Sequence, residues 1–140
     1  MRRLALLFGL AFLLAGCGGG KTVSPTAETV VGSVPTSTQA SVPAGNATAG
    51  AATFKSSGCT GCHKFQPAGS SATIGPDLDK LTQYAKQANQ GSLKQFTFDS
   101  IKNPSSYVQP GYENAPPMPN FGQTLSDKQI ADLVAYLTKG

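Results

Sequence analysis

Apolar positions fall into three regimes along this chain. Leu4 to Leu14 is an almost unbroken apolar run, and residues 18 to 46 carry no periodic pattern and no aromatic residue. From Ala47 onward apolar residues recur at helical spacing. Ile130, Leu133, Val134 and Leu137 share one face of a terminal helix that opens with the capping box Ser126-Asp127-Lys128-Gln129. Ala47 to Ser57 predicts a first helix with Gly50 and Phe54 on one face. A glycine facing another helix lets the backbones approach and an aromatic ring lie across the gap, and Tyr136 is the expected ring. Asp77 to Asn89 and Ser92 to Lys102 predict two further short helices, separated by Gly91 and ended at Asn103-Pro104. No stretch alternates as a strand, so the expected class is all-α, with four to five short helices.

The unpatterned regions read as something other than folded domain. Met1-Arg2-Arg3 is a positively charged start, and the apolar run after it is short for a membrane span. It ends in Leu14-Ala15-Gly16-Cys17, which resembles the bacterial lipoprotein signal, in which a cysteine sulfur receives lipid. That resemblance implies a signal peptide over 1–16 and a lipid-anchored mature chain beginning at Cys17. Residues 18 to 46 are built from Gly, Ser, Thr, Pro, Ala and Val with Lys21 and Glu28 as the only charges. Such a segment buries too little surface to fold and makes 17–46 a tether, with an end-to-end reach of roughly 30 Å. The domain is then 47–140, in an extracytoplasmic position at a bacterial membrane, either periplasmic or on the outer face of the cell membrane.

Composition adds constraints. With 140 residues, no Trp and 13% charged residues, a core built after position 46 is thin, and a small core calls for a staple. The net charge of +4 counts Arg2 and Arg3 in the leader. Without them nine lysines face seven carboxylates, so the basic balance does not point to nucleic acid. Three cysteines do not indicate a disulfide framework, because each has its own setting.

Cys59-Thr60-Gly61-Cys62-His63 has the C-x-x-C-H spacing of covalent c-type haem attachment. On a helical turn the two thiols reach two vinyl groups while the adjacent imidazole meets the iron from the same side. Zinc is a poor alternative, since the chain has one histidine and only two cysteines besides Cys17. A thioredoxin-like pair needs a strand before the motif, whereas Ala47 to Ser57 has helical composition. For a second axial ligand, Met118 is the only methionine left once Met1 departs with the leader, and Pro116, Pro117 and Pro119 stiffen its surroundings. A Met that merely fills a core gap is the alternative. Gly75-Pro76-Asp77-Leu78 is a turn whose Pro76 carbonyl is the expected acceptor for the second ring N–H of His63.

Taken in order, Gly50 and Phe54, the haem motif, Gly75-Pro76-Asp77-Leu78, Met118, and Leu125 to Leu137 with Tyr136 resemble a class I cytochrome c of the bacterial monohaem type. Ile101-Lys102-Asn103-Pro104 and Tyr107 through Phe121 are similar to the cytochrome c domain of haem-copper oxidase subunit II. The family resemblance implies a loop before the methionine that encloses the haem edge, where Tyr107 and Tyr112 either bond a propionate or line the pocket, or serve as ordinary packing.

If both His63 and Met118 ligate iron, no coordination position is open and the expected function is single-electron transfer, not catalysis. The expected partners are a quinol-oxidising complex as donor and a terminal oxidase or photosynthetic reaction centre as acceptor. Two other readings remain: a fixed haem subunit of a larger membrane complex, and a haem enzyme or gas sensor with a labile sixth ligand.

Overall fold

The computed structural model describes residues 41–139. Cys17, the expected leader and most of the tether lie outside the described residues. Four α-helices carry the domain: α1 Ala47–Ser56, α2 Leu81–Ala88, α3 Leu93–Lys102 and α4 Asp127–Leu137. The all-α class holds, and no described helix is long and apolar enough to cross a membrane.

Local chemistry sets each boundary. The Asn46 side chain caps α1 by accepting from Thr48 N (2.9 Å) and Ala49 N (3.0 Å), satisfying two donors that have no intrahelical partner. The reciprocal capping box of Ser126 and Gln129 opens α4. Asn89, at φ 50°, ends α2 in the left-handed region that Asn tolerates better than most residues. The segment expected as one helix from Asp77 begins instead as a 3-10 turn, Leu78–Lys80, because the Asp77 carboxylate accepts from Asp79 N and tightens that first turn.

The described residues also form one strand pair, β1 Lys64–Phe65 antiparallel to β2 Ser70–Ser71. Two residues are too few for a period-two pattern, so alternation alone cannot reveal it. Its connection closes through a 3-10 turn, Gln66–Ala68, and Gly69 at φ 67°. The hairpin places Phe65 in the core.

The core forms where α1 crosses α4. Phe54, Ile130 and Val134 are almost fully buried there. Phe54 meets Tyr136 edge-on (centroids 5.8 Å), and Phe65 meets both, at 5.7 Å from Phe54 and 5.3 Å from Tyr136. Such pairs contribute about 1 kcal/mol each beyond burial. The crossing depends on Gly50, where a Cβ would collide with the Asp132 carbonyl and stand 2.9 Å from Tyr136 Cβ. Helix α3 lies between two clusters. Its Phe98 and Ile101 join Phe54 and Ile130, while Phe96 packs on Leu81 and Ala85 of α2.

One buried charge belongs to this crossing. Asp132, 6% exposed, accepts from Asn46 N at 2.6 Å and from the Lys128 ammonium. The carboxylate therefore sits at the N-terminal end of α1, where the helix dipole favours negative charge. Lys128 first, and the Asn46 N–H second, hold its pKa below the ordinary aspartate value of 3.8. A depressed folded pKa contributes stability above the unfolded value and loses it as pH falls through the folded one. Asp132→Asn should accordingly unfold about 1 kcal/mol more easily at neutral pH. In denaturant titrations at descending pH, the gap from wild type should narrow as the pH falls below the ordinary aspartate value of 3.8 and the carboxylate takes up its proton.

Candidate haem-binding site

The motif makes a single tight turn. After α1, Gly58 at φ 75° reverses the chain into the 3-10 turn Cys59–Gly61. Cys62 N and His63 N then both donate to Cys59 O, at 3.2 and 3.0 Å. This brings Cys59, Cys62 and His63 to the wall of one cavity of about 530 Å³. Neither thiol is in a disulfide, and burial pushes the Cys59 thiol pKa up.

His63 is held from behind by the Gly75-Pro76 turn. Its Nδ1 lies 2.8 Å from Pro76 O, and because a carbonyl only accepts, Nδ1 carries the proton and Nε2 is left as the free donor atom. Gly75 N donates to Cys62 O at 2.8 Å, tying the turn to the motif. A Cβ on Gly75 would stand 2.7 Å from His63 Cε1 and 2.9 Å from Nδ1, so only glycine leaves the ring its place. Burial lowers the imidazole pKa, with the Pro76 carbonyl partly opposing it, which favours the neutral form that metals bind.

Charges outside the cavity brace the same two segments. Lys64 Nζ lies 3.0 Å from Asp77 Oδ2 and 3.5 Å from Asp79 Oδ2, and Asp79 Oδ1 accepts from Gln66 N at 2.9 Å. The hydrogen bond from Lys64 holds the Asp77 carboxyl below its usual range. Ser70 Oγ donates to His63 O at 2.8 Å, which joins β2 to the motif.

Met118 reaches the same cavity from the proline segment 115–119. That segment is tied in front by Ala115 N donating to Tyr112 O at 3.1 Å. Behind it, Gly122 passes against the end of α3, where a Cβ would collide with Lys102 O, and Lys102 Nζ pairs with Asp127 at 2.6 Å. Pro76, Tyr107 and Tyr112 line the cavity too, so the structure brings together all seven residues expected there from sequence. Tyr107 also packs edge-on against Phe96, with centroids 5.3 Å apart.

Several wall residues escape sequence reasoning. Thr97, 2% exposed, lies in α3 and donates to Leu93 O at 2.7 Å, and its place among Phe96, Phe98 and Ile101 is the only signal it gives. Ile74, Gln109 and Asn120 line the cavity from loops that have no period to read. Gln109 Oε1 is buried without a partner.

The donor set fits a covalent haem: two thiols one turn apart, an imidazole with Nε2 free, a thioether, a largely apolar wall, and a glycine cradle behind the ring. A family model described as Cytochrome c matches residues 47–140. The chain belongs to the cytochrome c family and is a haem electron-transfer protein with one covalently bound haem c. No curated protein matches it.

Gly75 offers a test of the cradle. Gly75→Ala should destabilise the haem-loaded protein by about 1–3 kcal/mol, measured by denaturant titration, because the added methyl displaces the ring or the turn. Gly61→Ala, whose Cβ would meet nothing within 4 Å, is the control and should stay near wild type.

Proposed function

We propose that this cytochrome carries single electrons at the outer face of a bacterial membrane, and that His63 and Met118 are the residues that would hold the haem iron. The observation that carries this reading is that His63, the only histidine, and Met118, the only methionine after Met1, line one cavity with both motif thiols. Haem supplies the one-electron Fe(III)/Fe(II) couple. The chain does the rest: Pro76 orients the imidazole, the proline segment restrains the thioether, and Phe54, Phe96, Ile101 and Leu133 keep water from the buried wall. Thioether ligation and an apolar enclosure both favour the ferrous form, which suits a carrier late in a respiratory or photosynthetic chain.

The leader pattern ending at Cys17 supports a lipid anchor, and the composition of 18 to 46 supports a tether that keeps the domain close to membrane complexes while allowing it to move between them. The donor is then a quinol-oxidising complex, and the acceptor a terminal oxidase or reaction centre. The resemblance of residues 101–104 and 107–121 to an oxidase-fused domain supports the respiratory setting.

Met118→Ala should abolish the weak red absorption band of methionine-ligated ferric haem and let the reduced protein bind carbon monoxide. It should also lower the reduction potential by more than about 59 mV, a tenfold change for a one-electron couple. An unchanged red band in the variant would remove Met118 as the ligand, and a wild-type ferric spectrum without that band, or carbon monoxide binding by the reduced wild type, would sink the carrier reading. Cys17→Ala should move the protein from the membrane to the soluble fraction, and persistent sedimentation with membranes would argue against the lipid anchor.

A further inference from the structure

Residues 63 and 64 and residues 76 and 77 form two successive cross-links between the same pair of segments. His63 reaches Pro76 O through Nδ1 at 2.8 Å, and Lys64 reaches Asp77 Oδ2 at 3.0 Å. The first link is made inside the cavity wall, and the second outside it. Each residue of the outer link directly follows a residue of the inner one. Asp77 is meanwhile committed to its own turn through Asp79 N, and Asp79 is committed to the hairpin through Gln66 N. The ammonium thus sits between two carboxylates that are themselves fixed to the backbone on either side.

We propose that Lys64, with Asp77 and Asp79, is a positioning residue for the axial histidine: the ion pair sets the separation of the two segments and so the strength of the His63 to Pro76 hydrogen bond. This rests on His63 being an axial ligand. A stronger bond from Nδ1–H makes the imidazole a better electron donor and favours ferric iron, so the brace adjusts the potential without touching the haem. An exposed ion pair contributes little to global stability. Its leverage here is local, because a small change in segment spacing acts on one short hydrogen bond. Breaking the outer link from either side should loosen the inner one.

Charge alone makes a different prediction. Removing the lysine charge lowers the potential and removing an aspartate charge raises it, with no change at the ring N–H. The brace requires Lys64→Gln and Asp77→Asn to weaken the ring bond alike. For Asp77→Asn both effects raise the potential, whereas for Lys64→Gln they oppose.

The test uses the full-length, haem-loaded protein in detergent. Proton NMR of the ferric form reads the hyperfine-shifted His63 ring protons and the solvent exchange of its Nδ1–H, and spectroelectrochemical titration reads the potential. Both variants should exchange that proton about threefold faster than wild type, the scale an exposed ion pair can carry. Lys64→Arg should restore the wild-type rate. Asp77→Asn should raise the potential by more than Lys64→Gln changes it. Equal and opposite potential shifts with unchanged exchange would overturn the brace while leaving ligation by His63 intact. A wild-type spectrum without hyperfine-shifted His63 ring protons would overturn both.

Discussion

The closeness of α1 to α4 is the constraint from which the rest of this fold follows. Gly50 lies against the Asp132 carbonyl, and no residue with a side chain fits that gap. The approach lets Phe54 enter the core and sets the ring triangle with Phe65 and Tyr136. Phe54 in turn fixes the last turn of α1, and the thiol motif begins a few residues later. The position of the haem-bonding turn is therefore inherited from a helix crossing. Asp132 strengthens the same crossing by joining the start of α1 to the middle of α4 through one buried carboxylate.

The two sides of the cavity are built on different principles. Around His63 the chain is cross-linked by hydrogen bonds, with Gly75 donating to Cys62, Ser70 donating to the His63 carbonyl, and Pro76 accepting from the ring. Around Met118 such bonds are scarce, because proline has no N–H to give, and stiffness comes from restricted backbone torsion instead. A neutral imidazole needs an oriented second N–H, and the acceptor supplies that direction. A thioether has no such proton, so confinement of its backbone is enough.

Much of this was legible in the sequence because it is carried by local signals. The capping box at Ser126, the apolar face of α4 and the stop at Asn103-Pro104 each depend on a few neighbouring residues. The candidate site residues stand out for a different reason, scarcity: a chain with one histidine and one methionine besides Met1 leaves few assignments open. What stayed hidden depends on contacts between distant segments. The strand pair is too short to show a period, Gly75 looks like an ordinary turn glycine until the His63 ring is seen against it, and Asp132 reads as a polar position on a helix. Thr97 and Gln109 gave no pattern that separates a cavity wall from a surface.

The entry of the chain into the domain has a mechanical consequence. Val42 packs on the core, Gly45 presses against the Ala131 carbonyl, and Asn46 bonds Asp132, all before α1 begins. Ala131 and Ala135, which receive this segment, lie on the side of α4 away from Leu133 and Leu137, which face the cavity. The chain is therefore fastened to the core and to the α4 backbone at several contacts before its first helix begins. The turn holding Cys59, Cys62 and His63 follows α1, so the segment before α1 reaches the cavity only through the crossing of α1 with α4.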